Sequence, residues 1–123
     1  EYDNYRKRTI KEKESIYPEA KAVVVEKFLA VLDNLERALQ SAQADDPLYE
    51  GVSLVKKQMD DVLTALGVEQ IAADGESFDP SVHEAVMHVD DESLGENIIA
   101  EEFRKGYKIG DRVVRHSMVK VAN

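Results

Sequence analysis

The sequence predicts an α+β fold: a long dimerising coiled-coil helix, a four-helix bundle formed in the dimer, and a small, mostly antiparallel β domain at the C-terminus. Two contrasts along the chain carry this prediction. Residues 1–43 contain no glycine and a single proline, which is typical of a long helix. After Gly67 the apolar residues are mostly valine and isoleucine in short runs separated by Gly, Asp and Pro, which is typical of strands. The predicted division is a helical dimerisation region over residues 1–67 and a β-rich domain over residues 68–123.

The first predicted helix repeats its apolar residues every seven positions, as a coiled coil does. One register holds Ile10, Tyr17, Val24, Val31 and Ala38, and a second is polar at Lys7, Glu14 and Lys21 but apolar at Phe28, Leu35 and Ala42. A helix of about 43 residues is roughly 65 Å long, whereas a compact chain of this length has a radius of gyration of about 14 Å. Because such a helix cannot bury its stripe within one monomer, the sequence predicts a homodimer. The predicted interface residues are Tyr17, Val24, Phe28, Val31, Leu35 and Leu39.

Pro18 interrupts this helical pattern. An interior proline costs a helix about 3 kcal/mol and disfavours the helical conformation of the residue before it. We expect a kink at Tyr17, with the apolar spacing continuing into Val24. The alternative is a separate helix that begins with Pro18 in its first turn.

A second helix is predicted after the segment QADDPLYEG. Asp46 suits the cap position and Pro47 the first helical position, and Gly67 closes the helix. Its apolar residues follow at spacings of three and four, at Leu48, Val52, Val55, Met59, Val62 or Leu63, and Leu66. The first helix widens its own apolar face in its second half, through Val25, Leu32 and Leu39. Two such helices from each monomer would form a four-helix bundle in the dimer.

The C-terminal part reads as a series of short strands. The predicted strand segments are VEQI, EAVMHVD, NIIAEEF, GYKI and RVVRHSMVKV. IGD, between Lys108 and Arg112, is predicted to form a hairpin turn. A β domain of this size needs support from the helices, because a chain of about 55 residues buries only a small core.

The composition indicates a soluble, cytoplasmic protein. The chain has no cysteine, which excludes disulfides and thiolate metal sites. No apolar run approaches the roughly 20 residues of a membrane span, and the opening EYDNYRKR lacks the apolar core of a signal peptide. The formal net charge is −9, most of it in residues 68–123, and such a surface repels nucleic-acid phosphates. We therefore expect neither nucleic-acid nor membrane binding.

The stretch SFDPSVHEAV, residues 77–86, gathers Ser, Asp, His and Glu side chains as a hydrolase site does. A nucleophile elbow is absent, however, and His83, His88 and His116 lack the spacing of a helical metal site. The favoured interpretation is a turn at Asp79-Pro80, capped by Asp79 or Ser81, with Val82 and Val86 buried. No glycine run of the phosphate-binding type occurs, so we expect no cofactor and no direct nucleotide binding.

Two C-terminal motifs resemble the signature of the GrpE family, the nucleotide exchange factors of DnaK-type chaperones. They are FDPSVHEAV at residues 78–86 and GYKIGDRVVRHSMVKV at residues 106–121. The matching positions are Phe78, Asp79, Pro80, His83, Ala85, Gly106, Tyr107, Arg112, Ser117, Val119 and Val121. VLDNLERAL in the first helix and Leu66-Gly67-Val68 are also similar to the family, so the resemblance covers nearly the whole chain.

The resemblance implies a parallel-helix homodimer whose β domain enters the nucleotide-binding domain of the chaperone and pushes its lobes apart, which releases ADP. Its implied partner contacts are Phe78, Pro80, Phe103, Arg112 and Val121, with Gly67 as a hinge between bundle and β domain. For Phe78 and Val121 the alternative is a place in the core of the β domain. Two other functions stay open: a dimeric coiled-coil adaptor without exchange activity, and an enzyme built around Ser81, His83 and Glu84.

Overall fold

A computed structural model describes the backbone of all 123 residues and the side chains of residues 1–12 and 16–123. The two helices are α1 (Tyr2–Ser41) and α2 (Pro47–Ala65). The six strands are β1 (Val68–Gln70), β2 (His83–Val89), β3 (Ile98–Arg104), β4 (Tyr107–Ile109), β5 (Arg112–Arg115) and β6 (Ser117–Ala122). This architecture confirms the predicted α+β class. Neither described helix combines the length and apolarity that a membrane crossing requires.

The long helix α1 runs unbroken through Pro18. The alternative of a separate helix beginning at Pro18 is therefore wrong, because an interior proline removes one backbone donor while the helical bonds on both sides persist. A kink at Tyr17 stays a prediction. Of the polar positions in the second seven-residue register, Glu14 lies outside the described side chains.

The second helix begins and ends where its sequence signals predict. The Asp46 carboxylate caps it by accepting a hydrogen bond from the Leu48 amide at 2.9 Å, and Pro47 is the first helical residue. At the other end Gly67 has a φ of 83°, in the left-handed region that favours glycine, and its amide donates to the Thr64 carbonyl at 3.0 Å. The chain enters β1 directly after this glycine.

The strands form two three-stranded sheets. The first sheet has the order β1-β4-β5 and is antiparallel throughout, and the second has the order β2-β6-β3, with β2 parallel to β6. Three of the four strand pairings are thus antiparallel, as predicted. The predicted hairpin at IGD is confirmed, since Ile109 pairs with Arg112 and Gly110 has a φ of 57°.

The last predicted strand segment, RVVRHSMVKV, is two strands rather than one. The chain leaves the first sheet at Arg115 and joins the second sheet at Ser117, with His116 between them. The run of apolar and basic residues carries no turn signal at this point, so local sequence does not reveal the break. It arises because the two ends of the segment pair with different strands.

Two hydrophobic cores hold the fold together. The first joins α1, α2 and the first sheet through Val25, Leu29, Leu32, Leu63, Val68 and Tyr107. The second lies against the second sheet and contains Ala73, Ile99, Val119 and Val121, with Phe78 packed on it. Because residues from both sides of Gly67 in the chain form the first core, the helices support the first sheet directly. We keep the name β domain for residues 68–123.

Candidate partner-binding surfaces

His83 organises the turn at residues 77–86. Its ring is 5% exposed, its Nδ1 atom accepts a hydrogen bond from the Asp79 amide at 3.0 Å, and its Nε2 atom lies 2.7 Å from the Ala72 carbonyl oxygen. These partners define a neutral ring with the proton on Nε2. Asp79 in turn accepts from the Ser81 hydroxyl at 2.7 Å and from the Ser81 amide at 2.9 Å. The Ser81 hydroxyl, followed by the Ser81 amide, lowers the pKa of Asp79.

These bonds support the turn interpretation over a catalytic one. The Ser81 hydroxyl bonds to Asp79 and not to His83, and both His83 nitrogens are occupied by backbone groups. Val82 is only partly buried, and Val86 is 41% exposed, so the expectation of a buried Val86 is wrong. The pairing of the edge strand β2 with β6 is irregular between Ala85 and Met87, which frees Val86 from the regular alternation.

Replacing His83 with alanine is expected to destabilise the β domain by about 2–4 kcal/mol, because the change removes a buried ring and leaves the Asp79 amide and the Ala72 carbonyl without their partners. Chemical unfolding followed by circular dichroism measures this loss. The folded fraction of the variant should retain the nucleotide exchange activity that the resemblance implies. Full stability combined with lost activity would show that His83 belongs to the contact surface instead.

The motif FDPSVHEAV, residues 78–86, contains two of the implied contact residues, and their environments differ. Phe78 is partly buried, packs on the second core and lies with its ring centre 6.0 Å from that of His83. Its amide also donates to the Asn97 carbonyl at 2.7 Å. Pro80 is exposed at the tip of the turn. Phe78 therefore supports the turn from below, while Pro80 is accessible to a partner.

The three implied contacts in the later strands lie on three different strands, β3, β5 and β6. Phe103 is 46% exposed on β3 of the second sheet, and Arg112 is exposed at the start of β5 in the first sheet. Val121 is only 5% exposed and belongs to the second core. Val121 therefore lies in the core of the β domain, which was the alternative to a partner contact. Phe103 and Arg112 are the accessible pair.

Phe103 borders a cleft of about 390 Å³ that lies between α1 and the end of β3. Charged residues line it, including Arg37 of α1, Glu102 of β3, and Asp74 from the segment between β1 and β2. Burial raises the pKa of Glu102, while the hydroxyl of the buried Ser117 donates a hydrogen bond to its carboxylate and opposes that rise. Sequence spacing gives no sign of this cleft, because its walls lie far apart in the chain.

Replacing Glu102 with glutamine is expected to stabilise the protein at neutral pH. A carboxyl group whose pKa is raised on folding contributes stability below its unfolded pKa, and this contribution is lost as the pH rises through the folded value. Glutamine removes the partly buried charge and keeps an oxygen for the Ser117 hydroxyl. Unfolding titrations should show a gain at pH 7 that disappears below about pH 4. Glu101→Gln, at an exposed neighbour, is the control, and a gain that persists at low pH would contradict the account.

The predicted dimer interface is an apolar stripe on α1, most of which is exposed. Tyr17, Val24, Phe28 and Val31 are 47% to 69% exposed, whereas Leu35 and Leu39 are partly buried. A neighbouring face of the same helix, formed by Val25, Leu29 and Leu32, is fully covered by the chain itself. Leu29 was not part of the predicted registers. We call the six predicted interface residues the α1 stripe.

The stripe continues into an apolar groove between α1 and α2. The groove has a volume of about 300 Å³, and its lining includes Val24, Phe28, Val55, Val62 and Leu66. Apolar residues on both helices thus face one open surface. A contiguous surface of this kind is what a second pair of helices would cover in a bundle.

Comparison with known proteins places the whole chain in one group. The sequence model of GrpE matches residues 1–123. Protein GrpE of Clostridium beijerinckii is 53% identical over 123 residues, covering 100% of this chain and 59% of that protein. Protein GrpE of Clostridium acetobutylicum is 52% identical, covering 100% of this chain and 61% of that protein. Protein GrpE of Oceanobacillus iheyensis is 42% identical, covering 98% of this chain and 65% of that protein.

The chain spans about three fifths of the length of the two clostridial relatives. The match to the family model nevertheless runs from the first residue to the last, through both helices and both sheets. The chain therefore belongs to the GrpE family.

Proposed function

We propose that this chain is a nucleotide exchange factor that binds the nucleotide-binding domain of a DnaK-type chaperone and accelerates the release of ADP. The observation that carries this proposal is the match of residues 1–123 to the GrpE family. The exposed positions of Phe103 and Arg112 on the β domain, and of Pro80 on its first turn, support it. The protein acts by contact in the cytoplasm, without a cofactor of its own and without binding nucleotide, nucleic acid or membrane.

The proposed mechanism is a thermodynamic linkage. The β domain enters between the lobes of the chaperone and binds their open, nucleotide-poor arrangement more tightly than the closed one. By reciprocity, ADP weakens the binding of the factor by the same ratio that the factor weakens the binding of ADP. No bond is made or broken by the factor. The activity consists entirely of the difference in binding free energy between the open and the closed chaperone.

The scaffold for this activity is a homodimer with a four-helix bundle. The α1 stripe and the groove beside α2 form one open apolar surface on the monomer. A second copy of the chain covers this surface and brings the four helices together. The β domain of each monomer is attached through the first core to the covered face of α1, whereas the dimer forms through the exposed α1 stripe, so the β domain stays outside the bundle. Gly67, with its positive φ, is the proposed hinge residue, at which the chain turns from α2 into the β domain.

The contacts with the chaperone are assigned to residues that a partner can reach. Arg112 supplies a fixed fork of donors for a carboxylate, and Phe103 supplies an aromatic anchor. Pro80 presents a rigid tip. Phe78 contributes indirectly by stabilising the turn that presents Pro80, and Val121 contributes indirectly by stabilising the second core.

Stopped-flow release of fluorescent ADP from the cognate chaperone tests the proposal. We expect a large acceleration by the unmodified chain, reduced at least about tenfold by Arg112→Ala and by Phe103→Ala. Met87→Ala, which shortens an exposed apolar residue on the opposite edge strand, is the matched control and should change little. If a folded dimer gave no acceleration, the exchange proposal would be wrong, and a coiled-coil adaptor without exchange activity would be the remaining hypothesis to test.

A further inference from the structure

The β domain is attached to α1 by a partly buried ion pair between Arg115 and Asp33. The guanidinium of Arg115, whose side chain is 9% exposed, donates to Asp33 through two separate nitrogens, at 2.7 Å and 2.9 Å. Asp33 is on α1 and Arg115 ends β5, so the pair joins two parts of the chain that are 82 positions apart. A two-pronged arginine–carboxylate bond fixes the relative angle of its partners as well as their distance.

The same guanidinium also holds the connection between β3 and β4. Its Nε atom donates to the Lys105 carbonyl at 2.9 Å, and Nη2 donates to that carbonyl at 2.6 Å. The guanidinium carbon lies 5.7 Å from the centre of the Tyr107 ring, in the first core. One side chain therefore joins α1 to three elements of the β domain, and most of its donors are occupied within the chain.

A second ion pair lies beside the first. Lys105 Nζ donates to Glu36 of α1 at 2.8 Å, and Lys56 of α2 approaches the same carboxylate at 3.8 Å. These charges are more exposed than Arg115, so each contributes less to the attachment. Together the two pairs cross the junction at two points of α1. The hydrophobic contacts of the first core add adhesion there but little angular definition, because burial of apolar surface is non-directional.

We propose that Arg115 is a positioning residue, which with Asp33 holds the β domain at one orientation on α1 and so presents Phe103 and Arg112 to the chaperone in a preorganised arrangement. The inference rests on the proposed exchange function for its consequence, but its structural part stands on the contacts alone. The occupied donors of Arg115 leave it little capacity for a direct contact with a partner. Its effect on exchange is therefore indirect.

The expected effect follows from the population of the competent orientation. If loss of the pair lets the β domain sample several orientations, only a fraction of the molecules is ready to bind, and the apparent affinity falls by that fraction. We expect Arg115→Met to raise the half-saturating concentration for ADP release about tenfold. The maximal rate at saturation should stay within about twofold, because the loosened domain still adopts the bound orientation once it is engaged.

The orientation can be measured directly with spin labels, because the chain has no cysteine of its own. Labels at Lys27→Cys on α1 and Asp111→Cys on the β4–β5 hairpin, with the labelled chain diluted into excess unlabelled chain, report one intramolecular distance. We expect a narrow distribution for the parent and a clearly broader one for Arg115→Met. Asp33→Asn removes the pair from the other side and should broaden the distribution as well, which covers the case in which Arg115→Met fails to fold.

Lys120→Met is the matched control, because it removes a partly exposed ion pair with Glu101 on the second sheet and leaves the junction intact. It should leave both the distance and the half-saturating concentration unchanged. An unchanged distance distribution in folded Arg115→Met and Asp33→Asn would overturn the proposal, as would a fall in maximal rate without any broadening. If the parent chain failed to accelerate ADP release, the exchange function would be lost, yet the distance measurement would still decide whether the pair sets the orientation.

Discussion

Replacing Gly106 with alanine is expected to destabilise the β domain by at least about 3 kcal/mol, at the upper end of what overpacking costs. A Cβ atom at this position would lie 2.3 Å from the Ser117 nitrogen, and 2.8 Å from both the Arg115 carbonyl oxygen and the His116 carbonyl carbon. All three are backbone atoms at the point where the chain crosses from the first sheet to the second. Because backbone atoms cannot rotate away as a side chain does, one of the two sheets must shift.

Urea unfolding followed by circular dichroism measures this effect, with amide NMR spectra to show which part of the chain is affected. Gly51→Ala is the matched control. Gly51 lies within α2, where an added Cβ would meet no atom within 4 Å, so the same substitution should stabilise the helix by about 0.5–1 kcal/mol. A Gly106→Ala protein as stable as the parent would show that the close approach at His116 is not required by the fold.

The double substitution Val24→Asp and Val31→Asp is expected to abolish dimerisation at micromolar concentration. Both valines are about half exposed in the single chain, so two carboxylates there cost the monomer little. In the proposed dimer the same positions are buried against a partner helix. Burying two unpaired charges in each chain costs several kcal/mol per charge, which exceeds the stability of most dimers at this concentration.

Sedimentation equilibrium gives the dimer dissociation constant of this variant. Val23→Asp is the matched control, because Val23 is equally exposed on α1 but lies on a different face of the helix from the α1 stripe. The control should leave the dimer intact. A dimer that survives the double substitution, or one that is lost equally with Val23→Asp, would place the interface elsewhere.

The elements of the fold that could be predicted from the sequence are those with local signals. Asp46-Pro47 at the start of α2, Gly67 at its end and Gly110 in the hairpin each satisfy a backbone requirement that a few neighbouring residues define. The length of α1 and the approximate number of strands follow from composition and periodicity. These features need no information about distant parts of the chain.

Features that depend on long-range pairing could not be predicted in the same way. A seven-residue repeat shows that α1 has an apolar face, but it does not show that Leu29 and its neighbours face the chain's own core while the α1 stripe stays open. The break at His116 and the parallel pairing of β2 with β6 depend on sheet partners far along the chain. The Asp33–Arg115 pair leaves no signal in either of its local sequences.

The candidate site likewise contains some features that local sequence predicts and others that it does not. The turn at Asp79-Pro80 and the structural role of His83 could be inferred from the residues, since the turn chemistry is local. The residues of the β domain that contact the chaperone were assigned from the resemblance to the family, and this assignment stays a proposal. The structure distinguishes those a partner can reach, such as Arg112, from Val121, which lies in the second core.

The proposed activity requires that the chain bind the nucleotide-poor chaperone better than the ADP-bound one, and a closed thermodynamic cycle measures this difference. Calorimetry would give the affinity of this chain for the nucleotide-binding domain with and without saturating ADP, and the affinity of ADP with and without the chain. We expect ADP to weaken the binding of the chain, and the chain to weaken the binding of ADP, by the same factor. Equal affinity of the chain for the empty and the ADP-bound domain would contradict the account.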